Sequence, residues 1–438
     1  MKFLQDFHIQ DVLKGGAQAL SLKVLATIAG FLVSVTLGRF YGPEGVGIYT
    51  LMVSAMMLST TLSTVGLDNA VIKYTSSNLA VKNELGATEV LRTAVVLVVI
   101  LSISLAVLVW SSREFIAINF LGNDQVSPLL AIAAGSIICL AITRICSGGL
   151  KALGNIPAAQ LTDGLVLPCG ILACFHLLSG DSIERAAFSF LAGSILAAFI
   201  GVIALIKTAH RKGLTNGAPN IRVAWQLLST GWPTLGLILG DAVTELSALI
   251  FLSHFSSVED IGIFRVAWQI AFLVSFLTMA TDSILTPKIA ALHAQNDLKS
   301  LARVLKFNML LITFFSIPVA MVLSYFPNEI LQLFGKGFQG AAILIIILVS
   351  GQVVNGALAA SGKVLIMTGH EKKSLLSSLF GAVLVVVLCL LLVPKYGSFG
   401  AAIAVAITIS VRCISAVILV RIYLGINMIT GEVHTPVK

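Results

Sequence analysis

Seven ionisable side chains lie inside long apolar runs of this 438-residue chain: Lys23, Arg144, Asp163, Asp241, Glu245, Asp282 and Arg412. A charge held among apolar residues costs several kcal/mol unless it faces a partner or a polar cavity, so each is a candidate for function. Lys23 and Arg412 could supply fixed positive charge to an anion such as a phosphate, the arginine through a planar fork of donors. Asp241 and Glu245, four residues apart on one helix face, could carry protons or hold a driving cation, because burial raises a carboxyl pKa. Asp163 is a further acid with the same potential for ion coupling.

Structural roles compete with each of these. At about 1.5 Å per helical residue, Arg144 and Asp163 lie at similar depths on consecutive spans and could simply neutralise one another. Lys23 could reach out to the membrane surface or pair with Asp163, Arg412 could pair with Asp241, and the two acids of span seven could counter Arg265. Charge chemistry is the only chemistry on offer. The seven histidines are scattered singly without metal-ligand spacing, and no phosphate-binding glycine loop occurs, so neither a metal site nor direct use of ATP is expected.

The elements that must position these residues follow from composition. Hydrophobic residues make up 57% of the chain and charged residues 11%, with a mean hydropathy of +1.00, whereas soluble domains carry about 25% charged residues. An ordinary globular enzyme is excluded. Apolar runs of about 20 residues, each long enough as a helix to cross a bilayer, recur about twelve times between residues near 15 and near 423. All should be helices, because lipid offers an isolated strand no hydrogen-bond partners and the runs lack the alternation of a barrel. The opening residues, with Asp6 and Asp11, do not read as a cleaved signal peptide.

The formal charge of +8 is explained by topology. With the amino terminus placed in the cytoplasm, only six basic residues fall on the outer side: Arg39, Arg113, Arg185, Arg265, Lys336 and Lys395. Lys23 and Arg412 sit within spans, and the remaining basic residues fall inside, which predicts cytoplasmic termini. The six cysteines lie in or beside spans and read as small packing residues rather than disulfides.

An internal repeat organises the whole. "LGRFYGPEGVGIY" at 37–49 is echoed by "LSHFSSVEDIGIF" at 252–264, matching Glu44 with Glu259 and Gly47 with Gly262. The same offset of 215 carries "LKALG" at 150–154 onto "LIMTG" at 365–369 and Ala186–Ala187 onto Ala401–Ala402. The expectation is an all-α polytopic membrane protein of two parallel six-helix bundles, 1–207 and 225–438, joined by a polar, flexible cytoplasmic linker at 208–224. Most of the buried charges break the repeat: Lys23 faces Ile238, Asp163 faces Ser378 and Arg412 faces Ala197 in the alignment. Such a duplication suits alternating-access transport with a site where the halves meet.

"LGRFYGPEGVGIYTL", "STVGLDNAVIKY" at 63–74, "GLKALGN" at 149–155, "LFGKGF" at 333–338 and "VPKYGSFGAAIAVAI" at 393–407 resemble the polysaccharide-export branch of the multidrug/oligosaccharidyl-lipid/polysaccharide (MOP) superfamily. The resemblance covers nearly the whole chain. It implies a V-shaped, MATE-like, Wzx-like flippase of the bacterial inner membrane, not an enzyme. The implied substrate is an undecaprenyl-pyrophosphate-linked oligosaccharide unit for O-antigen, capsule or exopolysaccharide assembly. It further implies a cationic lumen met by Lys23, Arg144, Arg265 and Arg412, with Asp163, Asp241 and Glu245 open to ion coupling. No cofactor is implied, a proton or sodium gradient would drive the cycle, and a polymerase and glycosyltransferases would be partners alongside membrane lipids. A drug or metabolite antiporter of the same superfamily is the alternative, expected to have a more acidic cleft. A polytopic polymerase or glycosyltransferase would leave the repeat unexplained.

Overall fold

A computed structural model describes the backbone of residues 7–433 apart from 215, 277, 279, 280, 282–284, 287, 290, 291 and 294. Asp282 therefore lies outside the described residues, and so does the side chain of Asp241, although its backbone is helical. The helices are α1 (Phe7–Thr64), α2 (Leu67–Ala80), α3 (Glu84–Ser111) and α4 (Val126–Ala152). They continue as α5 (Ile156–Leu177), α6 (Glu184–Arg211), α7 (Ile221–Phe255) and α8 (Val258–Phe272). After these come α9 (Leu298–Tyr325), α10 (Phe338–Met367) and α11 (Glu371–Leu424). A two-residue ladder, β1 (Ile426–Asn427) with β2 (Glu432–Val433), closes the described chain and is the one departure from an all-helical reading among the described residues.

Among the described residues, eight helical runs are long and apolar enough to cross a membrane, and a ninth if the two segments of α7 count as one. The difference from twelve has a simple geometric source. Ser21–Ala80 and Lys372–Leu424 are continuous runs of 60 and 53 residues, each far longer than the roughly 20 residues one crossing needs. Each holds two crossings, broken by a glycine in a positive-φ conformation: Gly42 (φ 66°) and Gly397 (φ 53°). No side chain other than hydrogen relieves the clash there, so glycine is what permits the reversal. α8 runs on into the partly undescribed stretch.

The helix faces are patterned for lipid. On α3, Val96, Ile100, Ile103 and Val107 are exposed at spacings of three and four, while α9 exposes Phe307, Leu310, Phe314, Ile317 and Met321. The opposite face of α9 buries Leu305, Asn308, Ile312, Ser316 and Ala320. Large apolar groups outward and small or polar groups inward is the arrangement expected when hydrocarbon, not water, is the solvent.

By contacts the chain divides into two units. The first comprises Met1–Tyr41 and Ile48–Ile238; the second comprises Gly42–Gly47 and Leu239–Lys438. In the first, a core of Leu67, Val71, Val90, Ala94, Ile145 and Leu150 joins α2, α3 and α4. Glycines bring backbones close: a methyl built on Gly170 of α5 would stand 2.8 Å from the Gly193 Cα of α6. The segment after α6 is tied down rather than flexible. Leu214 is buried in that core, the Arg92 guanidinium donates to the Gly217 carbonyl, and the Asn220 N–H donates to Thr93 Oγ1 at 3.0 Å. Polar backbone that approaches a bundle must find partners, and α3 supplies them.

In the second unit the core holds Leu301, Leu305, Val364, Val420, Ile426 and Met428. The terminal hairpin thus seals one end of α9 and α11, and Lys306 Nζ donates to the Thr430 carbonyl at 2.9 Å. The repeat is visible in local geometry, since Gly154 (φ 76°) and Gly369 (φ 81°) end equivalent helices in the same left-handed conformation. All six cysteines are free thiols, and three of them, Cys146, Cys389 and Cys413, are buried.

Candidate functional site

Each unit contains a polar cluster set among its apolar helices. In the first, α5 begins with Asn155 as cap, its side chain accepting from the Ala158 N–H at 3.4 Å. One π turn, Leu161–Leu165, follows and carries Asp163. A π turn inserts an extra residue into the helix and redirects the side chains on it, which is why such turns recur at functional positions. Asp163 faces α4, where Lys151 Nζ lies 3.5 Å from its carboxylate and Ser147 Oγ donates to the same oxygen at 3.3 Å.

Arg144 is not the partner of Asp163 in this geometry. Its guanidinium donates to Thr61 Oγ1 of α1 at 3.0 Å. Arg144, Ser147 and Lys151 are spaced by three and four residues and so form one stripe of α4. Depth counting put Asp163 level with Arg144, whereas the π turn presents it to the end of the stripe that holds Lys151. Lys23 stands one turn before Ala26 on α1, and Ala26 packs against Gly164, the neighbour of Asp163. Among the groups whose contacts are seen, Arg144 and Lys151 stand with the single acid Asp163.

The Lys151–Asp163 pair is partly exposed, with side chains at 35% and 40%, so its coupling should be modest. A double-mutant cycle with Lys151→Ala and Asp163→Ala, read by thermal unfolding, should return about 0.5–1 kcal/mol. A coupling of several kcal/mol would mean that the pair is sealed away from water.

In the second unit, α10 and α11 enclose a cavity of about 260 Å³ lined by Asn355, Ser361, Lys363, Ser374, Ser378 and Arg412, among others. Gly381 makes room for Arg412, whose Cδ would lie 3.4 Å from a methyl built there. Ser377 Oγ and Ser415 Oγ are 2.6 Å apart beside it. Behind this wall runs a hydrogen-bonded seam in which Ser275 Oγ donates to Gln352 Oε1 at 2.6 Å and Asn355 Nδ2 donates to the same oxygen at 3.1 Å. Arg412 is thus placed with Lys363, which the sequence reading counted only as an inside-facing surface charge. Both side chains are half-buried.

The remaining candidates lie elsewhere in the second unit. Arg265 of α8 donates to the Glu245 carboxylate of α7 as an ion pair, so these two neutralise each other. Asp241 lies on α7 next to Gly240, whose added methyl would reach Ser378 Cβ at 3.7 Å, but its own side chain is outside the described residues. Sequence reasoning passed over Lys151, Ser147, Thr61 and Lys363. The three-and-four spacing of Arg144, Ser147 and Lys151 was the signal that could have found the first two.

Residues 12–293 match the family described as polysaccharide biosynthesis protein. The chain belongs to that family. Residues 242–391 of this family member also match the MatE family. Among curated relatives, a probable flippase, AglR, of Haloferax volcanii is 24% identical over 419 residues, covering 92% of this chain and 82% of that protein. Stage V sporulation protein B of Bacillus subtilis is 24% identical over 427 residues, covering 90% and 81%. Among solved structures, the lipid II flippase MurJ in an inward closed conformation superposes with a TM-score of 0.78 at 17% identity, covering 91% of this chain and 86% of that one. The MOP-superfamily resemblance and its helical fold class are therefore shown. Of these three, AglR and MurJ are named as flippases.

Proposed function

We propose that this protein is a flippase that carries undecaprenyl-diphosphate-linked oligosaccharide units from the inner to the outer leaflet of a bacterial inner membrane by alternating access. The product would supply O-antigen, capsule or exopolysaccharide assembly. The observation that carries this reading is that a member of the polysaccharide biosynthesis family sets basic residues among the apolar helices of each half, Arg144 and Lys151 in one and Lys363 and Arg412 in the other. A diphosphate needs fixed positive charge to leave water, while its polyprenyl tail can stay in the bilayer throughout.

In this reading the bundles 1–207 and 225–438 are joined by 208–224, and both termini are cytoplasmic, a placement that the distribution of basic residues supports. No cofactor takes part, and a proton or sodium gradient supplies the free energy. A polymerase and glycosyltransferases act before and after it. Arg265 belongs to the transport path with its Glu245 partner. Asp163, Asp241 and Glu245 are the acids through which coupling would run.

The test is reconstitution of the full chain in proteoliposomes with a fluorescent oligosaccharide on undecaprenyl diphosphate, scoring the fraction accessible to an external quencher. Protein-dependent movement between leaflets is expected, reduced about tenfold or more in the Lys23→Ala/Arg412→Ala double variant, as for loss of charge-assisted contacts. Full movement in that variant overturns the cationic path. The MatE match over 242–391 favours a second reading, a cation-coupled antiporter of drugs or metabolites. Gradient-driven uptake of a soluble organic cation, with no movement of the lipid, would establish it instead.

A further inference from the structure

We propose that an open recess at one end of the first unit, between α3, α4 and α6, binds the head of a phospholipid that carries a primary ammonium beside its phosphate. The inference goes beyond the flippase reading and does not depend on it. The recess holds about 500 Å³, inside the ~300–1,000 Å³ of ligand pockets. Trp110 near the end of α3 and Phe188 near the start of α6 line its sides, and α4, which packs against both helices, supplies Pro128 and Ala131 between them. Its surroundings are those of a lipid-facing surface. The exposed apolar stripe of α3, Val96, Ile100, Ile103 and Val107, reaches Trp110 at its next step of three. On α6 the exposed residues Ile206, Val202, Phe199 and Ile195 form a similar stripe that ends at Phe188. Polar groups take over directly beyond both rings: Arg113 and Glu114 follow Trp110, and Glu184 precedes Phe188 by one turn. That is headgroup depth, where an aromatic ring can sit between hydrocarbon and water.

The repeat shows that these features belong to one half. Adding 215 carries α4 onto 341–367, which ends on the last residue of α10, and carries α3 onto 299–326, against 298–325 for α9. Under that equivalence Pro128, Ala131 and Ile132 become Ile343, Ile346 and Ile347. Ile343 and Ile346 stand exposed, so branched side chains occupy the surface that Pro128 and Ala131 leave low. Arg113 becomes Asn328 and Glu184 becomes Phe399, while Glu114 alone keeps an acidic counterpart, Glu329. Space and opposed charge disappear together, as expected if they serve one ligand. A bundle end of this fold is built in the second half without either.

The charges suit a zwitterion. Arg113 is held in place, donating from Nη1 to the Trp110 carbonyl at 3.1 Å with its guanidinium carbon 5.4 Å from the Trp110 ring centroid. The Glu114 carboxylate stands 3.8 Å from Nη2, beyond hydrogen-bond length, and its side chain is 77% exposed. The guanidinium fork thus has donors left for phosphate oxygens. The carboxylates of Glu114 and Glu184 can accept from the three N–H donors of a primary ammonium, which a quaternary head lacks. An anionic head would meet two carboxylates for one arginine. The acyl chains would continue from the head over Ala131, between the apolar stripes of α3 and α6, where hydrocarbon is the solvent.

The test compares heads on a constant tail. Full-length protein in detergent is titrated with dioleoyl phosphatidylethanolamine, phosphatidylcholine or phosphatidylglycerol, bound lipid is counted by native mass spectrometry, and thermal unfolding verifies the fold of each variant. The ethanolamine lipid should bind about tenfold tighter than either of the others. The Glu114→Gln/Glu184→Gln double variant should bring it within about threefold of the choline lipid, whereas Arg113→Ala should weaken both about tenfold, because both carry the phosphate. Ala131→Ile, which copies the second half, should weaken the ethanolamine lipid about tenfold, and Glu329→Gln should stay within about threefold of wild type. The charged side chains lie at the surface, so their variants test the site whether or not Ala131→Ile folds. Equal binding of the three lipids by the wild type, a preference for the glycerol head, or undiminished ethanolamine-lipid binding in the folded double variant overturns the proposal. Binding of a soluble oligosaccharide that Trp110→Ala abolishes, with no preference among lipids, assigns the recess to sugar and overturns it as well.

Discussion

Replacing Arg185 by alanine should lower the stability of the first unit by about 2–4 kcal/mol, seen as an earlier thermal unfolding transition in detergent. The reason lies at the end of α5, whose last carbonyls have no partners within the helix. The Arg185 side chain, one residue into α6, donates from Nε and Nη2 to the Phe175 carbonyl and from Nη1 to the Gly180 carbonyl at 2.9 Å. Its guanidinium carbon also lies 4.2 Å from the Phe175 ring centroid and 5.5 Å from that of Phe40. The rings of Phe40 and Phe175 meet edge to face at 5.2 Å. One side chain thus caps a helix, fastens a turn and covers an aromatic pair on α1 and α5. Arg185→Lys retains the charge over the rings and loses the fork, so it should recover only part of the loss. Equal stability of all three proteins would show that water replaces these contacts at no cost.

The second large effect is expected from a methyl group. Within the second unit, Gly42–Gly47 runs against the start of α8, and the contact is reciprocal. A Cβ added to Gly262 would overlap the Pro43 carbonyl oxygen, and one added to Gly47 would overlap the Val258 carbonyl oxygen. The obstacles are backbone atoms, which cannot turn aside as a side chain can. Gly262→Ala should therefore cost about 1–3 kcal/mol, the range for overpacking a well-fitted interior. Gly262→Leu should cost more. Gly47→Ala should act similarly, and the double variant should cost less than the sum, because one separation of the two backbones relieves both clashes. Gly236→Ala is the control, since nothing lies within 4 Å of the added methyl. If Gly262→Ala unfolds at the same temperature as Gly236→Ala, the backbones are not held this close.

The reciprocity restates the repeat in three dimensions. Gly47 and Gly262 are equivalent under the offset of 215, and so are Pro43 and Val258. Sequence comparison exposed the first equivalence. That the two glycines face each other's equivalent carbonyls became visible only in the fold.

Much of the architecture was determined by the chain's composition and periodicity. Apolar runs longer than a bilayer crossing can only be helices in lipid, because each backbone must satisfy its own polar groups. The offset of 215 then makes two like halves, and charges that depart from it mark where the halves differ. Arg412 was found in this way. Tertiary structure decided what each charge touches. The π turn at Leu161–Leu165 gave Asp163 to Lys151 rather than Arg144, and the meeting of α10 with α11 put Lys363 beside Arg412. Neither follows from spacing along one helix. A side chain's partner depends on how its helix is rotated and how closely its neighbour approaches, and small residues such as Gly164 and Gly381 set those approaches from the facing surface. The sequence determined which residues had to be shielded from lipid; packing decided which of them shield one another and which line the cavity between α10 and α11.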